Sequence, residues 1–169
     1  KRREVGLAFE ASGEIAANLP TQEVVSMTES LGDLTEAIVG TTEQPVLEKK
    51  GDDLRIDWGH FVVAFRQSAF STIALSALRD GKRQIFQDDF RSRIELKNPV
   101  PANSFLITIG CQLSTVGKDT VSRTAILRYN DRLSIQYMKR NLPPFWRRSG
   151  WEGADLTKAA AADYESFKR

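Results

Sequence analysis

His60 is the only histidine in this chain of 169 residues, and it stands three positions after Asp57, with Trp58 and Gly59 between them. An Asp-His couple is half of a nucleophile-activating system, the imidazole taking a proton while the carboxylate orients it. In a continuous strand, positions 57 and 60 face opposite ways, so the couple needs a bulge at Gly59. With no second imidazole nearby, Asp57, Trp58, Gly59 and His60 read first as structural residues. The acid pairs Asp52-Asp53 and Asp88-Asp89 could act as general acid and base, but nothing beside them in sequence would drive their pKa values apart, so they read as solvated turn carboxylates. Cys111, the only cysteine, continues the apolar alternation of Phe105, Ile107 and Ile109 and reads as a small buried hydrophobe. One histidine and one cysteine leave no metal site to expect. The chain has no G-x-G-x-x-G, no Walker loop and no G-x-S-x-G elbow, so no cofactor is expected either, and no residue is assigned a catalytic role.

A second stretch offers binding rather than chemistry. Lys139-Arg140-Asn141-Leu142-Pro143-Pro144-Phe145-Trp146-Arg147-Arg148 mixes cations with aromatic rings. Such a mixture can serve nucleic acid, a carbohydrate or another protein domain. A docking surface is the favoured reading, because Pro-Pro stiffens the segment and Trp and Arg anchor interfaces. Tyr137 precedes this segment, and Tyr164 and Phe167 follow it.

The elements that must position these residues are mostly strands. Val5, Leu7, Phe9 and Ala11 alternate with more polar residues, and so do Glu23 to Glu29 and Leu34 to Val39. Ile15 and Ala17 suggest a short return strand. Leu54, Ile56 and Trp58 alternate with Asp53, Arg55 and Asp57, predicting a strand with one wet face. His60 to Phe65 is nearly continuously apolar, as in a strand covered on both sides, and the two segments together predict a hairpin. Ser71 to Leu75 reads as a strand, and Ala77 to Phe90 as a short helical insertion. Phe105 to Cys111 and Val121 to Tyr129, separated by Thr115 to Asp119, predict a further hairpin. Leu133 to Tyr137 favours strand. Leu156, Ala160, Tyr164 and Phe167 share one face of a terminal helix that Asp155, or residues 149–152, can cap. Trp58, Phe61, Val63, Phe105, Ile107 and Leu127 are the expected core. The fold class that follows is mainly β, an antiparallel β-sandwich with a short helical insertion and a C-terminal helix, the sandwich over 1–150 and the helix over 151–169.

Composition bounds the partners. Hydrophobic residues make up 41% of the chain, enough for one core at this length. The 24 Lys and Arg against 22 Asp and Glu leave a formal charge of +2, dispersed except near the C-terminus, so neither nucleic acid nor a membrane is an expected partner. The chain opens on Lys1 and enters a strand at once, which suggests a piece of a longer protein.

Several blocks, in order, carry a family resemblance: Phe9 to Glu14, Gly40 to Leu47, Lys50 to Gly59, Tyr129-Asn130-Asp131, Ser134 to Tyr137, Phe145 to Arg148, and Asp163-Tyr164. Together they resemble the N-terminal non-helical domain of glutaminase A-like proteins. The resemblance implies a β-sandwich that precedes a six-hairpin helical domain in secreted or periplasmic enzymes hydrolysing L-glutamine to L-glutamate and ammonia. It implies a helical catalytic domain of the same parent chain as partner, and residues 151–169 as the lead toward that domain. The sequence departs from the family at His60, where relatives carry an aromatic residue, and at Met138-Lys139, where they carry Phe-Gly. No catalytic residue is carried over.

Three functions follow for testing. The first is a non-catalytic domain supporting a helical hydrolase, with Tyr137, Phe145, Trp146, Arg147, Arg148, Tyr164 and Phe167 at the binding or domain interface. The second is an independent carbohydrate- or ligand-binding module using Trp146, Tyr137 and Trp151. The third is a small enzyme centred on Asp57 and His60.

Overall fold

The computed structural model describes residues 3–48, 57–67, 71–77, 99–117 and 120–167, with only the backbone of 3–4, 71–77 and 114–116. The acid pairs Asp52-Asp53 and Asp88-Asp89 lie outside the described residues, as does all of the helical insertion expected over Ala77 to Phe90 except Ala77, which ends a strand. Among the described residues ten strands form three antiparallel sheets. β1 (Arg3–Ser12), β7 (Phe105–Val116) and β5 (Ser71–Ala77) make a three-stranded sheet in the order β1-β7-β5. β2 (Glu23–Leu31), β3 (Leu34–Thr41), β4 (His60–Arg66), β6 (Val100–Pro101) and β8 (Ala125–Asn130) make the larger one, ordered β6-β2-β3-β4-β8. β9 (Ile135–Tyr137) and β10 (Arg140–Leu142) form a separate ribbon.

The two main sheets share one core. Ala37, Val39, Phe61, Val63 and Phe65 from the larger sheet meet Phe105, Ile107 and Ile109 of β7 in a single buried cluster, with Phe9, Cys111 and Tyr129 packed against it. This is the sandwich expected from the alternating pattern, and β4 is buried from Phe61 to Phe65 as its continuous apolar run predicts. Trp58, Phe61, Val63, Phe105 and Ile107 are buried as expected.

Four local expectations need correction. Residues 13–16 form a 3-10 helix, η1 (Gly13–Ala16), not a return strand. Ser12 caps it by accepting from the Glu14 amide, and at Gly13 a Cβ would lie 2.9 Å from the Ala102 carbonyl, a fit that only glycine allows. β7 and β8 are not a hairpin, because β7 pairs with β1 and β5 whereas β8 pairs with β4, so the connection crosses between sheets. Leu127 faces the core side opposite Val63, yet it is 53% exposed because β8 is the edge strand of its sheet. Asp57 to Gly59 is a bend rather than the end of a strand, and Leu54 to Ile56 lie outside the described residues.

The terminal helix α1 (Gly153–Phe167) packs on β8. Glu152 and Asp155 form its cap: the Glu152 amide donates to Asp155 Oδ2 at 3.0 Å, and the Asp155 amide donates to the Glu152 carbonyl at 3.0 Å. The sheet-facing stripe centres on Gly153 and Thr157, both buried, with Ala160 and Tyr164 continuing it. Leu156 sits at its margin and Phe167 is 75% exposed, so the expected apolar face is rotated from the one that packs. Among the described residues no helix is long and apolar enough to cross a membrane.

Candidate functional site

Asp57, Trp58 and Gly59 form a junction of four chain segments. The Asp57 side chain is fully buried and accepts from Gln22 Nε2 at 3.0 Å, while its carbonyl accepts from Thr41 Oγ1 at 2.7 Å. Gln22 in turn accepts from the Asn18 and Leu19 amides, tying the chain ahead of β2 to the same point. The Trp58 indole N–H donates to the Leu133 carbonyl at 2.9 Å, and the Trp58 carbonyl accepts from the Tyr129 hydroxyl at 3.0 Å. Gly59 donates its amide to Gln44 Oε1 and has φ +84°. A Cβ there would lie 2.2 Å from the Asn130 carbonyl, so both the conformation and the contact require glycine. Burial, with Asp131 and Asp57 nearby, pushes the Tyr129 phenol up to about 12, which keeps it a neutral donor.

His60 belongs to a different environment. It pairs with Asn130 across β4 and β8, and its ring lies over Gly40, where a Cβ would come within 2.6 Å of Cδ2. Burial first, then the Arg132 and Arg128 guanidinium groups, lowers its pKa, so the imidazole is held neutral. The Asp57 carboxylate accepts from Gln22 and its carbonyl from Thr41, while His60 sits among Gly40, Asn130 and the nearby arginines.

On the His60 side of the larger sheet a polar layer fixes the start of α1. Arg128 Nη2 donates to Glu36 Oε1 and Oε2 at 3.0 and 3.1 Å, with both side chains nearly sealed from solvent. A Cβ on Gly153 would lie 1.8 Å from Arg128 Nη1, so the first turn of the helix rests directly on this guanidinium. Arg147 extends the layer, donating to Asn130 Oδ1 at 3.3 Å and to both oxygens of Glu152, the shorter at 2.7 Å. Sequence reasoning missed Glu36 and Arg128, because each alternates in its strand as a surface charge would.

The ribbon and the segment after it differ in kind. All six residues of β9 and β10 are exposed. Register puts Ile135 opposite Leu142 and Tyr137 opposite Arg140, so these four share one face, while Gln136 and Asn141 share the other and bond at 3.0 Å. The two-residue turn is Met138-Lys139, at φ +46° and +63°, a left-handed pair normally filled by Asn-Gly. The next turn is a 3-10 helix, η2 (Phe145–Ser149), ended by Gly150 at φ +79°. In it Phe145 is 77% exposed beneath the Arg148 guanidinium, 3.5 Å from the ring centroid, and half-buried Trp146 carries Arg147 at 5.0 Å.

Of the seven residues expected at an interface, Tyr137, Phe145, Arg148 and Phe167 are therefore exposed, and Trp146, Arg147 and Tyr164 are half-buried. Arg147 joins the ribbon side of the molecule to the helix start through Asn130 and Glu152. Among the described residues no group of three or more His, Cys, Asp or Glu side chains could hold a metal ion.

A family described as a domain of unknown function, DUF5127, matches the chain over residues 1–169. The chain belongs to this DUF5127 family. No curated protein matches it.

Proposed function

We propose that this DUF5127 domain is the non-catalytic β-sandwich of a glutaminase A-like hydrolase, supporting and docking on a helical catalytic domain of the same parent chain. On this reading the parent enzyme is secreted or periplasmic and converts L-glutamine to L-glutamate and ammonia. The observation that carries the reading is the exposed ribbon with its neighbour: Ile135, Tyr137, Met138, Leu142 and Phe145 stand in solvent, rimmed by Lys139, Arg140 and Arg148. Apolar side chains gathered this way mark a surface meant to be covered, and aromatic and Arg residues are the usual anchors of such surfaces. The ordered sequence blocks that resemble glutaminase A-like proteins are what suggests a helical catalytic domain as the partner. The ties of Asp57 to Gln22 through its carboxylate and to Thr41 through its carbonyl support a structural role for this residue.

A carbohydrate module is less well supported. A sugar platform needs open, coplanar ring faces, and the Trp146 ring is already stacked by Arg147.

Two measurements test the proposal. Ammonia release from L-glutamine by the 169-residue chain alone is expected to be absent, and turnover that disappears in His60→Ala would overturn the support role. Hydrogen exchange of residues 135–148 and quenching of Trp146 fluorescence should both fall in the longer protein. Equal protection in the two would remove the docking surface.

A further inference from the structure

The larger sheet, the three-stranded sheet and α1 meet at a cavity of about 340 Å³, far from the ribbon and outside the support role proposed above. It lies at the end of the sandwich where the β3 start and the β4 end meet residues 122–124, the lead-in to β8, and the last turns of the helix. The size is at the lower end of the range for small-molecule pockets. Its apolar wall comes from Leu34, Phe65, Ile126 and Ala161, so one cavity draws on two strands of the sheet interior, the edge strand and the helix. Cys111 also faces it, from β7 of the other sheet.

The polar groups are gathered at the rim. Arg66 is paired with Asp33 there, and Glu165 contributes a carboxylate. Arg123 is the cation with no carboxylate partner among the described residues, its side chain donating only to the adjacent Ser122 carbonyl at 2.9 Å. Ser122 and Thr124 add hydroxyls on either side of it. Burial pushes the Cys111 thiol pKa up, and the Arg123 charge, close enough to act on it, opposes only part of that rise. An apolar chamber with one unmatched guanidinium at its mouth is complementary to a ligand with a hydrophobic body and a single anionic head.

We propose that this cavity binds an apolar monocarboxylate, the body seated against Leu34, Phe65, Ile126 and Ala161 and the carboxylate held at the rim by Arg123. The chemistry is shared by a short alkanoate and an aromatic acid, and the probes separate the two. Decanoate and 2-naphthoate are titrated calorimetrically into the 169-residue chain, with decanol and decyltrimethylammonium as neutral and cationic controls of equal body. At least one carboxylate should bind saturably, and at least tenfold more tightly than either control. Arg123→Ala, an exposed coil position, should weaken it about tenfold, equivalent to about 1.4 kcal/mol. Ala161→Trp should abolish binding by filling the chamber, with an unchanged urea midpoint showing that the fold is intact. Saturating carboxylate should slow iodoacetamide alkylation of Cys111 several-fold, a readout that stands even if the tryptophan variant does not fold. No saturable binding of either acid, equal binding of decanol or the cation, or affinity and alkylation rate indifferent to both Arg123→Ala and the ligand would each overturn the assignment.

Discussion

The bend at Asp57–Gly59 and the β9–β10 ribbon both contain an aromatic residue, a left-handed backbone and nearby arginines, and they use them in opposite ways. In the bend, the indole N–H, the backbone carbonyls and the glycine amide all meet protein groups from segments far away in sequence. In the ribbon, Tyr137 and its neighbours face water, and the left-handed positions are filled by Met138 and Lys139, where backbone strain is tolerated rather than relieved. The contrast teaches that a conspicuous local motif is architecture when distant segments converge on it. The same residue types point to an unmade contact when none converge.

That comparison can be broken at several strengths. Arg128→Ala should cost about 3 to 5 kcal/mol in urea denaturation, because it leaves Glu36 buried and unpaired. Replacing both members by apolar residues of similar volume, Glu36→Leu with Arg128→Met, should recover most of that loss. Phe61→Ala should cost a comparable amount, about 3 to 5 kcal/mol, through the cavity it opens between the sheets. An unchanged midpoint for either single variant would show that the engaged side of the comparison is misplaced. Trp58→Phe both shrinks the buried ring and strips the donor from the Leu133 carbonyl, and about 1 to 3 kcal/mol should be lost.

Acid tests the same region from another side. His60 has a folded pKa below its ordinary value of about 6.5, so well above that value it is uncharged in both states and contributes no pH dependence. As pH falls below about 6.5 the unfolded chain takes up the proton and the folded chain resists it, and stability declines. His60→Asn should flatten that part of the profile, measured as unfolding midpoints between pH 7.5 and pH 5.5. A profile unchanged by the substitution would mean that the imidazole is as free as in the unfolded chain. The smallest effect belongs to the ribbon: Tyr137→Ser and Phe145→Ser should each shift stability by no more than about 0.5 kcal/mol. A loss as large as that of Trp58→Phe would erase the distinction between the two regions.

Much of the sandwich was legible because hydrophobic alternation reports directly on which face is covered. The periodicity of β2, β3 and β7 and the unbroken apolar run of β4 located the strands and most of the core residues. The helix start was readable as well, since Glu152 and Asp155 are a local signal that acts over one turn. Pairing partners were not readable from proximity in sequence. β7 and β8 are neighbours along the chain but lie in different sheets, and Leu127 has the right face on a strand that happens to be an edge. The Gly32-Asp33 turn between β2 and β3, with Gly32 at φ +69°, was a signal available and unused. Glu36 and Arg128 could not be recognised as a buried pair, since a charge alternating with apolar residues looks the same whether water or a helix covers that face. In the candidate site, Asp57, Trp58 and Gly59 could be singled out locally, because Gly59 breaks the alternation between two apolar runs. Their partners Gln22, Gln44 and Leu133 are tertiary information.

The lock around Gly59 also carries a statement about time. The bend is held by Tyr129, Asn130 and Leu133, groups that reach it only after a loop of 71 to 75 residues has been brought round to place β8 against β4. Its contacts close long loops, and native structure of that kind forms slowly because chain entropy must be given up before the bonds are made. The bend is therefore a late latch in folding: until β8 arrives, Trp58 lacks its partners and Gly59 has nothing to fit against. Slowed arrival of β8 therefore leaves the bend open in a way that weakened β2–β3 pairing, which closes only a two-residue turn, does not.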